Sequence, residues 1–190
     1  MKLKLKLKLK RRHKLEQWKH EHRVDPAQIT NLAIRGTPHI MHERHAVRDP
    51  SNVMGGQYSL PFTTAVALTR DMRNPLVYND EAIHDPLVRD LAHRIELIPD
   101  ASMQEGHGVF ESELTIETTE DKYTIVTTPH KGAPPNPFSW QDVCEKFRRH
   151  TQAILDEQAA SAIIDAVEGL VQSADVADLA RTIAPTAGSV

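Results

Sequence analysis

The sequence predicts an α+β fold, in which a small antiparallel sheet packs against helices and further helices follow at the C-terminal end. Three observations predict it. Apolar residues recur at helical spacing over 59–73 and again after residue 85. β-Branched residues alternate over 109–117 and 123–128 on either side of a polar turn, which is typical of a β-hairpin. The 190 residues are 39% hydrophobic and 26% charged, a balance that favours a soluble globular core.

Capping residues, prolines and glycines delimit the elements before the hairpin. Ser59 is placed to cap a helix that reaches Arg73. Pro61 is compatible with this helix, because proline is tolerated in a first turn. Asp85 followed by proline predicts another helix start. The remaining predicted elements, in chain order, are a helix over 11–22, a capped turn at 25–26, a strand over 29–34, a polar loop over 37–56, a short helix over 79–84 and a strand over 95–98.

Helices dominate the rest of the chain. Residues 131–137 form a loop rich in proline and glycine. Ser139 and Asp142 have the spacing of a capping box, which predicts a helix through His150. Two more helices are expected near 158–172 and 174–183.

The charge is divided along the chain. Residues 1–25 have a formal balance of +7 and residues 26–190 one of −10. The basic part begins with Leu and Lys in strict alternation up to Lys10, the period of a strand. Three interpretations remain open for this Leu-Lys arm: a solvated leader or unusual gene start, an edge strand protected by lysines, or an arm that contacts membranes or nucleic acid.

Composition excludes several classes of protein. Cys144 is the single cysteine, so an internal disulfide is excluded and a reducing, cytoplasmic location is expected. No apolar run approaches the length of a membrane span. The acidic body argues against a broad nucleic-acid surface, so neither membrane nor nucleic acid is expected as a partner.

Four ordered motifs carry a resemblance. The first, 24–29, links a helix to a strand, and the third, 85–92, opens a helix with Asp-Pro-Leu-Val. The second ends in Gln-Tyr-Ser-Leu-Pro-Phe at 57–62, and the fourth is Gly-Ala-Pro-Pro-Asn-Pro-Phe-Ser at 132–139 with Lys-Phe after it. Together they resemble the C-terminal half of the MmgE/PrpD family, which includes 2-methylcitrate dehydratase, cis-aconitate decarboxylase and a related epimerase.

The resemblance implies two domains with different roles in catalysis. In the family a helical domain carries most of the catalytic residues, and a smaller lid domain closes over the substrate. Here residues 13–150 resemble the lid, 1–12 form the arm, and 151–190 form closing helices. The chain is therefore expected to need a helical partner of the same family, to bind a small di- or tricarboxylate without metal or organic cofactor, and to form oligomers.

Candidate substrate-binding residues come from two of these motifs. Gln57 and Ser59 lie where a helix start can receive a carboxylate, and Lys131 beside Gly132 offers a cation. Phe62 stands where the family has a tyrosine that faces the active site. For each of these, an ordinary structural role remains open: a plain cap for Ser59, core for Phe62, a solvated loop lysine for Lys131. Catalytic residues stay unknown.

Histidines His39, His42 and His45 recur at three-residue spacing. A metal site is conceivable there, but no cysteine or carboxylate cluster completes it, so a surface histidine cluster is expected and no metal. Two functions follow from the resemblance: a lid subunit or fragment of an MmgE/PrpD-type lyase, or a non-catalytic remnant of the same fold. Whether this chain is itself an enzyme stays open.

Overall fold

The structure is a computed structural model that describes residues 15, 18–19, 24–72, 74–103, 105–106, 109–126, 129 and 131–184. The Leu-Lys arm and most of the helix predicted over 11–22 lie outside these residues. The chain divides into two compact units, one up to Pro137 and one from Phe138 onward. The domain limits expected from the sequence, after residues 12 and 150, stay a prediction.

The first unit contains a four-stranded sheet. Its strands are β1 (Ile29–Gly36), β2 (Ile95–Pro99), β5 (Ser112–Thr118) and β6 (Lys122–Val126), in the order β2-β1-β5-β6. Strands β5 and β6 form the predicted hairpin, and β5 also pairs antiparallel with β1. Two short strands, β3 (Glu105–Gly106) and β4 (Val109–Phe110), pair separately.

The sheet is mixed, because β1 and β2 run parallel. Parallel neighbours require a long crossover, and the segment between these two strands supplies one made of helices. The predicted α+β class is confirmed. The sequence predicted an antiparallel sheet, and the parallel pairing of β1 with β2 corrects that part of the prediction.

Four helices form this crossover: α1 (Val53–Tyr58), α2 (Leu60–Thr69), α3 (Asp80–His84) and α4 (Pro86–Arg94). The predicted starts of α2 and α4 are confirmed, since Ser59 and Asp85 cap them with their side chains. One-turn 3₁₀ helices occur at Pro26–Gln28, Glu43–His45 and Pro75–Val77.

Two expectations about this region are wrong. The loop expected over 37–56 contains the start of α1, where the Asn52 side chain accepts a hydrogen bond from the Gly55 amide at 2.8 Å and caps the helix. Helix α2 ends at Thr69, short of Arg73. There the Lys19 amine donates to the carbonyl oxygens of Ala67 and Arg70, at 2.8 and 2.6 Å, and so satisfies carbonyls at the helix end.

The core of the first unit lies between the sheet and the crossover helices. Apolar side chains from β1, β2 and β5 meet those of α2 and α4, and burial of such side chains is the main stabilising contribution. Fully or almost fully buried members are Ile29, Leu32, Phe62, Val66, Val88, Leu91, Ile95 and Ile116.

The second unit is helical, with α5 (Trp140–Thr151), α6 (Glu157–Glu168) and α7 (Ala177–Ile183). The predicted capping box of Ser139 and Asp142 is present at the start of α5. Arg148 joins α5 to α6 through a 2.8 Å contact with Glu157. Helix α6 ends earlier than expected, and a 3₁₀ turn, Leu170–Gln172, follows it.

Within the described ranges, no helix combines the length and the apolar character that crossing a membrane requires.

Candidate functional site

Ser59 separates α1 from α2 and controls the geometry of their junction. Its backbone is extended, and its side-chain oxygen accepts a hydrogen bond from the Phe62 amide at 3.0 Å. The same hydroxyl donates to the carbonyl oxygen of Val47. Ser59 is only 1% exposed, so both bonds lie inside the protein. The hydroxyl therefore ties the helix start to the preceding loop.

A surface cavity of about 200 Å³ lies at this junction. It is smaller than the pockets that hold drug-sized ligands, which suits a small metabolite. Its wall combines two apolar side chains with five polar ones, and the lining residues are Ile40, His45, Gln57, Tyr58, Ser59, Leu60 and Thr63.

His45 is the histidine in this wall. Its Nδ1 lies 3.2 Å from the Tyr58 carbonyl oxygen, and its Nε2 lies 3.0 Å from the Nε of Arg44. Arginine can only donate, so Nε2 is the acceptor and Nδ1 carries the proton that bonds the carbonyl. These two contacts fix the tautomer and the orientation of the ring.

The loop between His45 and α1 is anchored at successive residues. Arg48 donates to the Ile95 carbonyl oxygen at 2.8 Å. The Asp49 carboxylate contacts Arg89 at 2.8 Å and His93 at 2.7 Å, both on α4. The hydrogen bond from Arg89 is the main cause that holds the pKa of Asp49 below its usual value. The anchors join the cavity wall to the crossover helices.

The sequence pattern of the MmgE/PrpD C-terminal domain matches residues 13–172. The chain belongs to the MmgE/PrpD family. A comparison with curated proteins found no significant match. The matched span contains the whole four-stranded sheet, the junction of α1 and α2, and the helices α5 and α6.

Two of the four predicted binding residues line the cavity of this MmgE/PrpD domain. Gln57 is exposed, and its side-chain amide has no hydrogen-bond partner in the described part of the chain. Ser59 contributes to the wall, but its proton is committed to Val47 and its oxygen to the Phe62 amide. Ser59 therefore shapes the cavity as a cap, while Gln57 is available to a ligand.

Phe62 does not line the cavity. It is fully buried, and it belongs to the hydrophobic core of the first unit. A Cβ placed on Gly56 would lie 2.8 Å from the Phe62 ring, which shows how closely α1 passes over it. The resemblance places a tyrosine at position 62, and the phenylalanine of this chain has no hydroxyl there. The phenol that the cavity wall does contain belongs to Tyr58, four residues earlier and 66% exposed.

Lys131 lies in a separate turn and is not among the residues that line the cavity. Gly132 has a positive φ of 96°, which suits glycine, and its amide donates to the Asn136 carbonyl oxygen at 2.8 Å. The Asn136 side chain closes the same turn on the Pro129 carbonyl oxygen. The structure therefore does not bring Lys131 together with Gln57 and Ser59.

The three histidines at regular spacing have three separate roles. His39 stacks on Phe110 with ring centroids 5.7 Å apart. The Nδ1 of His42 accepts from the Arg44 amide and caps the 3₁₀ turn, while His45 faces the cavity. Among the residues that the structure describes, no group of three or more His, Cys, Asp or Glu side chains is arranged to hold a metal ion.

Sequence reasoning missed His45, Tyr58 and Thr63 as wall residues. Tyr58 stood inside the recognised motif, so its position was the available signal. For His45 the sequence offered only a spacing, and that spacing pointed to a shared cluster. The contact between His45 and Tyr58 spans thirteen residues of chain, which no local pattern encodes.

Proposed function

We propose that this chain is the lid-domain subunit or fragment of an MmgE/PrpD-type lyase that acts on small di- or tricarboxylates together with a helical catalytic partner. The observation that carries the proposal is the family match over 13–172, which is to the C-terminal domain of the family. Dehydration, decarboxylation and epimerisation are the reaction types that the family resemblance implies.

The cavity at the α1–α2 junction is the substrate contact of this lid. Gln57 supplies an unpartnered amide, and Thr63 supplies a hydroxyl oxygen whose proton is directed to the Ser59 carbonyl oxygen at 2.7 Å. Ile40 and Leu60 provide the apolar part of the wall, against which the carbon skeleton of the ligand packs. These groups bind and orient a small polar molecule, while the proton transfers are assigned to residues of the helical partner.

The helical partner is supported by the surface of the second unit. Several large apolar side chains there are exposed, among them Ile154 at 84% and Val171 at 91%. A helical partner that covered these side chains would remove their apolar surface from water. Neither metal nor organic cofactor enters the proposed reaction.

Reconstitution tests the proposal. The purified chain is mixed with a helical domain of an MmgE/PrpD enzyme, and turnover of cis-aconitate and of 2-methylcitrate is compared with that of each component alone. We expect a complex, and turnover in the mixture only. The Gln57→Ala change should raise KM, whereas Gln28→Ala, an exposed glutamine outside the cavity wall, serves as the matched control.

A non-catalytic binding module of the same fold is the second candidate. Phe62 favours it, since phenylalanine has no hydroxyl where the resemblance places the family's tyrosine, and its ring is fully buried in the core. This candidate predicts that the mixture forms a complex and binds carboxylates without converting them. Product formation above that of the helical domain alone would exclude it.

A further inference from the structure

The cavity at the α1–α2 junction has no formally charged group in its wall. Among the residues that the structure describes, none of the seven that line it is Asp, Glu, Lys or Arg. His45 donates from Nδ1 to the Tyr58 carbonyl oxygen and accepts at Nε2 from Arg44, which is the arrangement of a neutral imidazole. Arg44 is exposed and does not line the cavity, so solvent screens its charge. A negatively charged ligand therefore finds no counter-ion in this wall.

The first turn of α2 also offers little to an anion. Free amide groups at a helix start attract negative charge, but here most of them are absent or engaged. Pro61 has no N–H. The Phe62 amide donates to the Ser59 hydroxyl oxygen at 3.0 Å, and the Thr63 amide donates to the Ser59 carbonyl oxygen at 2.9 Å. At most the Leu60 amide remains for a ligand in this turn.

The Thr63 hydroxyl can only accept a further hydrogen bond. Its proton is directed to the Ser59 carbonyl oxygen at 2.7 Å or to the Leu60 carbonyl oxygen at 3.2 Å, so the hydroxyl oxygen keeps a free lone pair. A ligand that uses this oxygen must donate to it. An ionised carboxylate has no proton to donate, whereas a hydroxyl or a primary amide has one.

Gln57 and Tyr58 complement this acceptor. The Gln57 side-chain amide and the Tyr58 hydroxyl each contain a donor and an acceptor, and neither has a partner within the described part of the chain. An uncharged group that both donates and accepts can therefore satisfy Thr63 together with these two residues. Burying a charge without a counter-ion costs far more than burying such a group.

We propose that this cavity binds an uncharged, hydrogen-bond-donating part of a ligand and disfavours a carboxylate, and that Thr63 sets this preference. The description of the ligand as a lyase substrate rests on the proposed function, whereas the preference rests on the wall of this chain. In a di- or tricarboxylate substrate, an uncharged group lies in the lid cavity, and cations of the helical partner bind the carboxylates.

Direct titration of the full chain tests this proposal without any partner. The probes are propionamide and propionate, which have the same size and differ in charge and in the ability to donate. Binding is followed by NMR shifts of the backbone amides of Gln57, Leu60 and Thr63. We expect saturable shifts with propionamide that do not depend on salt, and propionate should bind about tenfold more weakly.

The role of Thr63 has a matched control on the same helix. Thr63→Val keeps the shape of the side chain and removes the acceptor, so propionamide should bind about three to ten times more weakly. Propionate, which cannot donate to Thr63, should change less than about twofold. Thr69 makes the same kind of bond to a carbonyl oxygen one turn back but does not line the cavity, so Thr69→Val should leave both affinities unchanged. Thermal unfolding confirms that both variants are folded.

A cation introduced into the wall should reverse the preference. Gln57→Lys supplies the missing counter-ion, so propionate should then bind more tightly than propionamide and its binding should weaken with salt. Gln28→Lys adds the same charge at an exposed glutamine outside the wall and should leave the preference for propionamide intact.

Four results would overturn the proposal: no saturable shift with propionamide, equal or tighter binding of propionate by the wild-type chain, equal effects of Thr63→Val and Thr69→Val, or an unchanged preference in Gln57→Lys. Failure of the proposed function looks different. In that case propionamide still binds through Thr63, yet no mixture with a helical domain forms product. If only the present inference fails, the mixture turns over substrate while the cavity does not distinguish propionamide from propionate.

Discussion

The Ser59 hydroxyl oxygen lies 3.0 Å from the Phe62 amide nitrogen, and this one contact joins the cavity to the core. Ser59 contributes to the cavity wall, whereas Phe62 is fully buried three residues later. The segment that marks the MmgE/PrpD family therefore has two sides, one that lines the cavity and one that packs in the core.

Loss of the Ser59 cap should destabilise the protein. In Ser59→Ala the first turn of α2 loses its side-chain acceptor, and the Val47 loop loses its tie. We expect the free energy of unfolding in urea to fall by about 1–2 kcal/mol. Ser51→Ala, at an exposed serine of the same loop, should stay within about 0.5 kcal/mol. Equal effects of the two changes would contradict the capping role.

The two glycines of α1 should respond in opposite directions to alanine. A Cβ on Gly56 would meet the Phe62 ring at 2.8 Å and Ile83 at 3.1 Å, so Gly56→Ala should cost about 1–3 kcal/mol. A Cβ on Gly55 meets nothing closer than 3.5 Å, so Gly55→Ala should gain about 0.5–1 kcal/mol of helix propensity. Chemical denaturation of the pair measures both signs, and a stabilised Gly56→Ala would show that α1 does not pass so close to the ring.

Phe62 and Tyr58 should differ in how much each contributes to stability. Phe62→Ala removes a fully buried ring and should cost about 3–5 kcal/mol. Tyr58→Ala removes an exposed ring, so its effect on unfolding should remain within about 0.5 kcal/mol. Unfolding curves of the two variants and the wild type measure both changes in the free energy of unfolding. A large loss of stability in Tyr58→Ala would mean that its ring packs in the fold and is not a free part of the wall.

The contact of Asp49 with α4 should respond to pH. The pKa of Asp49 in the folded protein is lowered, mainly by the hydrogen bond from Arg89, so folding favours the ionised carboxylate. That stabilisation is present above the usual carboxyl pKa of about 4 and is lost as the pH falls through the lower, folded value. The difference in melting temperature between wild type and Asp49→Asn should therefore be present at neutral pH and vanish in acid. High salt should reduce it, and a difference that grows towards acid pH would contradict the assignment.

The helical unit should make the isolated chain associate with itself. Val171 is 91% exposed and lies beside Leu170 and near Val167, which are also exposed. We expect a molar mass in light scattering that rises with protein concentration. Val171→Ser should lower the association, whereas Leu76→Ser, at a 67% exposed leucine of the first unit, should not. A monomer at all concentrations would refute this expectation.

Local signals predicted the helix starts well, because a cap is a contact within one turn of chain. Ser59, Asp85 and Ser139 each cap the helix that the sequence assigned to them. The hairpin of β5 and β6 was equally local, since alternation and a polar turn specify it. The end of α2 was not, because Lys19, which caps it, lies about fifty residues away in the chain.

The sequence by itself determined the family, the α+β class and the place of Gln57 and Ser59 beside a helix start, because these depend on short motifs and on the period of apolar residues. Tertiary structure alone decided that Phe62 packs in the core, that Lys131 lies apart, and that His45 meets Tyr58 at the cavity. Each of these depends on which distant segments pack together, and burial of apolar area across the β1–β2 crossover controls that packing. Periodicity along the chain describes a face of one element, but only the packed fold supplies what lies opposite it.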